Sequence, residues 1–242
     1  MITVSGVGFE GEFSAEKPAE KAHRIEFYGD SITSGYGNLS DNTESGWKGT
    51  WQYQDGTKTY ASFTANALNA DYAVASASGH GILGGHSDFT STYDKFFNYS
   101  LVDGSEALWS RADYNADLIV MNYGSNDAER VKKQISGSLQ PAFDKEKFAT
   151  DFEAECSKII EGMRAENPDV EILWILGMNY VADDSPVVTS LKNLAKKYDY
   201  VNFFKTPAAQ SGGDYHPTVE EHKKHAERLI NEINRLYPNM FK

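Results

Sequence analysis

Strand-like and helix-like segments alternate along nearly the whole of this 242-residue chain, and that alternation confines it to one fold class. Residues 25–28, 72–76, 118–122, 171–176 and 200–203 are short, apolar or alternating, and rich in Ile, Val, Phe and Tyr, as strands are. Helix-like stretches occupy 60–68, 144–165, 186–197 and 219–236. In the second of these, Phe148, Phe152, Cys156, Ile159 and Met163 recur every three or four residues, and Asn167-Pro168 stops it. In the last, Ala226, Leu229, Ile230 and Ile233 form the buried face. The run 171–176 is almost wholly apolar, the mark of a central strand covered on both faces. Such repetition produces right-handed crossovers and a doubly wound, mostly parallel sheet between two helical layers. The expectation is one three-layer α/β/α domain over residues 22–242. Residues 1–21 fit no strand–helix unit and are expected to be an N-terminal extension or the remnant of a preceding domain.

Charge narrows the partners. With 35 acidic against 23 basic residues the net charge is -12, and no dense Lys/Arg patch offsets it. Such a surface repels phosphate backbones and anionic lipid, so no nucleic acid and no membrane partner is expected. No stretch approaches the length of a membrane span, and residues 1–21 lack the basic start and apolar core of a secretory leader. By itself that reads as a cytoplasmic protein if the chain is full length. The single cysteine, Cys156, excludes an internal disulfide framework and a cysteine-based metal site, and its helical position makes it a core residue. Neutral substrates such as carbohydrates stay open, and the 13% aromatic content suits them, although a large core uses most of it.

Four short segments carry chemistry. Gly29-Asp30-Ser31 follows the first strand and places a hydroxyl at the carboxyl edge of the sheet, where open α/β sheets bind ligands. Ser31 is the candidate nucleophile; a capping serine is the plainer alternative. His216, in the loop before the last helix, is the candidate base. Of the other histidines, His222 and His225 sit in the charged run 220–225 and are expected to be solvated, His23 starts a strand, and His80 and His86 lie in a glycine-rich loop. His80 is the one rival to His216. Asp214 precedes His216 by two residues, and in an extended loop its carboxylate would reach Nδ1 and leave Nε2 free to accept a proton. Alternatively Asp214 caps the last helix, and a backbone carbonyl such as that of Gly213 orients the imidazole. Gly79 and Asn126 follow the second and third strands, so their loops converge with the Ser31 turn. The Ser31 and Gly79 backbone N–H groups and the Asn126 amide are the candidate oxyanion donors.

Residues 79–84 also fit a dinucleotide-binding glycine pattern, but loop continues at Gly85-His86-Ser87-Asp88 where a helix should open. No cofactor and no metal are expected. Trp47, Trp51 and Tyr215 are candidates for stacking on a sugar ring, with Trp47 and Trp51 pinning their own loop as the alternative.

Gly29-Asp30-Ser31, Gly79, Gly124-Ser125-Asn126-Asp127 and Asp214-Tyr215-His216-Pro217 resemble the four blocks of the SGNH/GDSL hydrolase superfamily. The phrases at 24–37 and 67–72, with the stretch around 214–217, are similar to carbohydrate esterase family 2. The resemblance covers residue 20 to the C-terminus. It implies the α/β/α SGNH fold and a secreted, extracellular serine esterase that removes O-acetyl groups from plant polysaccharides such as xylan and glucomannan. It also implies that in some members a backbone carbonyl replaces Asp as the partner of His. Against that family, these 242 residues are expected to carry no preceding β-sandwich domain beyond a remnant at 6–13. The chain also has Tyr215 where many members have Trp. A lipase or thioesterase of the same superfamily is the alternative activity, and a non-catalytic carbohydrate-binding module the alternative class.

Overall fold

The computed structural model describes residues 19–40, 51–85 and 109–242. Five strands, β1 (His23–Gly29), β2 (Ala70–Ser76), β3 (Leu118–Asn122), β4 (Glu171–Met178) and β5 (Val201–Ala208), form one sheet in the order β2-β1-β3-β4-β5. Every adjacent pair is parallel; Ile25, for example, faces Tyr72 on one side and Leu118 on the other. The chain runs from β1 outward to β2 and then crosses back to β3. Strand order therefore reverses at β1, and the loops leaving the carboxyl ends of β1 and its neighbours splay apart into a crevice.

Period-two alternation along the strands divides the core. Ile25, Phe27, Leu118, Val120, Leu173 and Ile175 point to the layer containing α1 (Ser31–Ser34), α2 (Tyr60–Ala67) and α7 (Val219–Leu236). Tyr28, Ile119, Met121, Ile172, Trp174 and Leu176 point the other way. They meet α5 (Lys145–Glu166) and α6 (Pro186–Lys197), and Cys156 is fully buried among them. Truncating a residue such as Phe152 or Leu229 to alanine in cores this closed costs about 2–5 kcal/mol. The expected α/β/α layering is what forms, and the strands run up to four residues longer than their apolar stretches.

Three α-helices among the described residues lie outside the four expected stretches: the one-turn α1, the short α3 (Arg111–Tyr114) and α4 (Ser125–Ile135). Of the α4 residues from Ala128 onward only Ala128 and Val131 are buried, so the apolar period is faint. The alternation of β1 has a different meaning from a half-solvated strand. Glu26 is buried, accepting hydrogen bonds from the Tyr28 hydroxyl and Trp109 Nε1 at 2.8 Å each, with Arg111 Nε 3.8 Å away.

His222 and His225 are not solvated, contrary to the sequence expectation. Both are buried between α7 and α2. The flanking Glu and Lys residues face water, while positions 222, 225, 226 and 229 share the inward stripe of α7. His222 Nδ1 accepts the backbone N–H of Tyr60 at 3.1 Å, giving a partner to a donor that the first turn of α2 would otherwise leave open. The His225 ring packs edge-on against the Tyr60 ring, with centroids 5.0 Å apart. Burial depresses both imidazoles to about 3.

A folded-state value below the unfolded one means that stability is present above about 6.5 and is lost as pH falls toward 3. Each imidazole contributes at most about 1.4 kcal/mol per pH unit across that window. Asp127, which burial raises to about 6, acts in the opposite sense, gaining stability on acidification. The difference between two proteins therefore isolates the histidine contribution. Wild-type protein should lose stability relative to His225→Phe as pH is lowered from 6.5 to 4, read as the gap between urea midpoints. Parallel curves would show that His225 is not held neutral.

Candidate active site

Asp30 and Ser31 leave β1 directly into one turn of helix. The Asp30 carboxylate accepts the Ile32 backbone N–H through Oδ1 at 3.1 Å, which fixes the start of α1 with Ser31 as its first residue. Ser31 Oγ lies 2.7 Å from His216 Nε2, although 185 residues separate them in the chain. On the other side of the ring, His216 Nδ1 lies 2.8 Å from the Asp214 backbone oxygen. A carbonyl can only accept, so Nδ1 carries the proton and Nε2 is left to accept from Ser31.

The Asp214 carboxylate does not make the contact expected of it. Residues Gly213–Tyr215 form a tight 3-10 turn, with Asp214 at φ 52°, ψ 40° and Tyr215 at φ 58°. That left-handed backbone turns the Asp214 carbonyl toward the ring and its side chain toward solvent. The extended geometry assumed from the sequence is absent. Nor does Asp214 cap α7: Thr218 is the cap, in a reciprocal box with Glu221. The turn is held by Gly212 N–H on the His216 oxygen at 2.7 Å and by Gly213 N–H on the Gly37 oxygen at 3.1 Å.

The three loops expected to converge do so. Ser31, Gly79, Asn126 and His216 line one cleft of about 650 Å³. The Ser31 and Gly79 backbone N–H groups have no hydrogen-bond partner among the described residues, as donors awaiting an oxyanion must. Gly79 has φ 76°, a conformation costly for any residue with a Cβ. The Asn126 amide is differently placed: Nδ2 donates to Asp30 Oδ2 at 3.0 Å and to the His80 backbone oxygen at 2.9 Å. Both amide hydrogens are engaged within the protein. His80 thus contributes its carbonyl here, while its own Nδ1 turns to the Ser78 oxygen at 3.0 Å.

Several residues that the sequence reading passed over shape the site. Ser125 Oγ donates to Asp30 Oδ2 at 2.5 Å. Asp127 accepts the Ile82 and Leu83 backbone N–H groups at 2.9 and 2.8 Å, pinning the glycine loop that carries Gly79. A Cβ at Gly81 would stand 2.3 Å from the Gly84 oxygen and 2.5 Å from Asp127 Oδ2, so this fit requires glycine. The loop that mimics a dinucleotide motif is therefore wrapped around a carboxylate of the protein itself. The Tyr36 ring lies 4.8 Å from the His216 ring. Asp127 was legible as one of a turn-rich block, but its reach across to residue 82 was not.

Tyr215 lines the cleft and is 68% exposed; Tyr180, not anticipated, lines it too at 64%. Trp51 is 85% exposed in a short 3-10 turn but is not part of the cleft lining. Trp47 lies outside the described residues. Among the described residues no group of three or more His, Cys, Asp or Glu side chains is placed to hold a metal ion, and no helix is long and apolar enough to cross a membrane.

Residues 27–239 match the GDSL-like lipase/acylhydrolase family. The chain is 30% identical over 241 residues to the cellulase/esterase CelE of Acetivibrio thermocellus, covering 92% of this chain and 26% of that protein. It is 30% identical over 127 residues to an acetylxylan esterase / glucomannan deacetylase of Cellvibrio japonicus, covering 50% of this chain and 34% of that one. It thus spans only a quarter to a third of the length of these curated relatives. A family two carbohydrate esterase from Clostridium thermocellum, solved in complex with cellohexaose, superposes with a TM-score of 0.75 at 25% identity, covering 93% of this chain and 67% of that one. The chain belongs to the GDSL-like lipase/acylhydrolase family, and within it resembles the family two carbohydrate esterases.

Proposed function

We propose that this protein is a serine esterase that removes O-acetyl groups from polysaccharides of the xylan and glucomannan kind. The observation that carries the reading is the 2.7 Å contact between Ser31 Oγ and His216 Nε2 beside two unpartnered backbone donors. Ser31 Oγ attacks the acetyl carbon as its proton passes to Nε2. The carbonyl electron pair moves onto oxygen, where the Ser31 and Gly79 N–H groups receive it. The Asn126 N–H that now bonds the His80 oxygen redirects its hydrogen bond to the same oxyanion, keeping its proton. Collapse expels the sugar oxygen, which takes the proton from His216 and leaves acetyl-Ser31. Water, giving its proton to Nε2, then attacks the acetyl carbon and releases acetate with free Ser31. No metal or cofactor is needed for any step.

Substrate choice is supported by the relatives, one named for acetylxylan and glucomannan and one solved with cellohexaose. Tyr215 and Tyr180 supply exposed aromatic surface at the cleft for sugar C–H faces, which needs no charge. Such polymers lie outside cells, and the esterase acts on them there.

Ser31→Ala should fold normally and lose essentially all acetate release from acetylated xylan and glucomannan, measured by coupled acetate assay. Turnover by the folded variant would refute the nucleophile. Acetyl esters should be cleaved faster than octanoyl esters; the reverse order would favour a lipid hydrolase on the same scaffold. Asp214→Asn should keep kcat within about threefold of wild type, because the carbonyl contact with Nδ1 survives the change, whereas a carboxylate partner lost in this way costs about 10⁴-fold.

A further inference from the structure

A carbonyl partner fixes the tautomer of His216 but brings no charge. When Ser31 gives up its proton the ring becomes an imidazolium, and in a serine triad the orienting carboxylate also stabilises that cation. Here the Asp214 carboxylate is turned into solvent, where screening leaves it little effect. A second carboxylate belongs to the residue next to the nucleophile and bonds the Ser125–Asn126 turn. Asp30 is 1% exposed and immediately precedes Ser31. It receives three donors: Ile32 N–H on Oδ1, and Ser125 O–H and Asn126 N–H on Oδ2. The two nitrogen donors have nothing to offer a carboxylic acid proton, so the arrangement is built for the anion.

We propose that Asp30 is the buried counter-charge of the His216 imidazolium, taking over the electrostatic part of the absent triad carboxylate while positioning Ser31 and Asn126. Its neighbours are consistent with that assignment. Burial holds the Asp30 carboxyl above the usual carboxylate range, and the Ser125 hydrogen bond, the Ile32 N–H and the charge of His216 draw it part of the way back. Tyr60, Tyr123 and Asp127 also feel the Asp30 charge, and each is raised by it in part. Around His216 stand Tyr36, Asp214 and, from α7, the neutral His222. Asp30 is a buried carboxylate whose neighbour in the chain, Ser31, bonds His216 directly, and a desolvated charge acts more strongly than an exposed one at equal distance.

The inference rests on the Ser31–His216 reading, and two variants test it through the pH profile of kcat/KM. Asp30→Asn removes the charge. It should lower kcat about 10- to 100-fold with KM little changed, and move the acid limb down by about half a pH unit to one unit. Ser125→Ala keeps the carboxylate but removes a donor that favours its ionised form. It should move the acid limb in the opposite direction, because Asp30 now takes up a proton at higher pH. A purely structural cap would lower activity in both variants and move neither limb; that result would overturn the proposal. Should Asp30→Asn fail to fold, an unmoved limb in Ser125→Ala overturns it alone. An inactive Ser31→Ala combined with unmoved limbs would reject only the role of Asp30, whereas turnover by Ser31→Ala would reject the underlying dyad.

Discussion

Ser31 and Asn126 share a site because the order of strands reverses at β1. The loops after β1, β2 and β3 leave the same edge of the sheet side by side, and the segment before α7 folds back over them to present His216. Everything chemical in the molecule hangs on that edge. The central strands β1, β3 and β4 are buried along most of their length, their side chains alternating between two closed cores. A core packed in this way holds the loops in place, and a misplacement of about 1 Å costs on the order of 10²-fold in rate. Short polar anchors finish the placement: Asp127 on the backbone of Ile82 and Leu83, Ser125 on Asp30, and Thr218 at the start of α7.

The group that orients the His216 ring is a peptide carbonyl and not a carboxylate, and that follows from a single backbone turn. With both Asp214 and Tyr215 in left-handed conformation, the carbonyl is forced inward and the side chain outward. Such a partner fixes tautomer and angle as well as a carboxylate does, but stabilises the imidazolium less. The buried carboxylates of the site, Asp30 and Asp127, each meet backbone or amide donors that compensate part of their desolvation. In the proposed mechanism the division of labour therefore differs from that of a linear triad.

Layering, parallel pairing and the identity of the converging loops were legible in the sequence, since each depends on local patterns: apolar runs, helical periods, and glycine or turn residues at strand ends. What was not legible depends on contacts made across the fold. The α4 helix hides behind a polar first turn whose Ser125 and Asn126 face Asp30. His222 and His225 sit in a charged run, yet the inward stripe of α7 buries them against Tyr60, which no local pattern marks. The Asp214 carboxylate could be placed near His216 by spacing alone, but only the actual φ and ψ decide which of its oxygens arrives.

The most direct test of Ser31 as a nucleophile activated by His216 is covalent labelling with a fluorophosphonate, followed by intact-mass and peptide mass spectrometry. Wild-type protein should take up one adduct per chain, located on Ser31, and His216→Ala should label at least about a hundredfold more slowly, because the base that removes the Ser31 proton is gone. An adduct on any other residue, or labelling of Ser31 at an undiminished rate without His216, would contradict it.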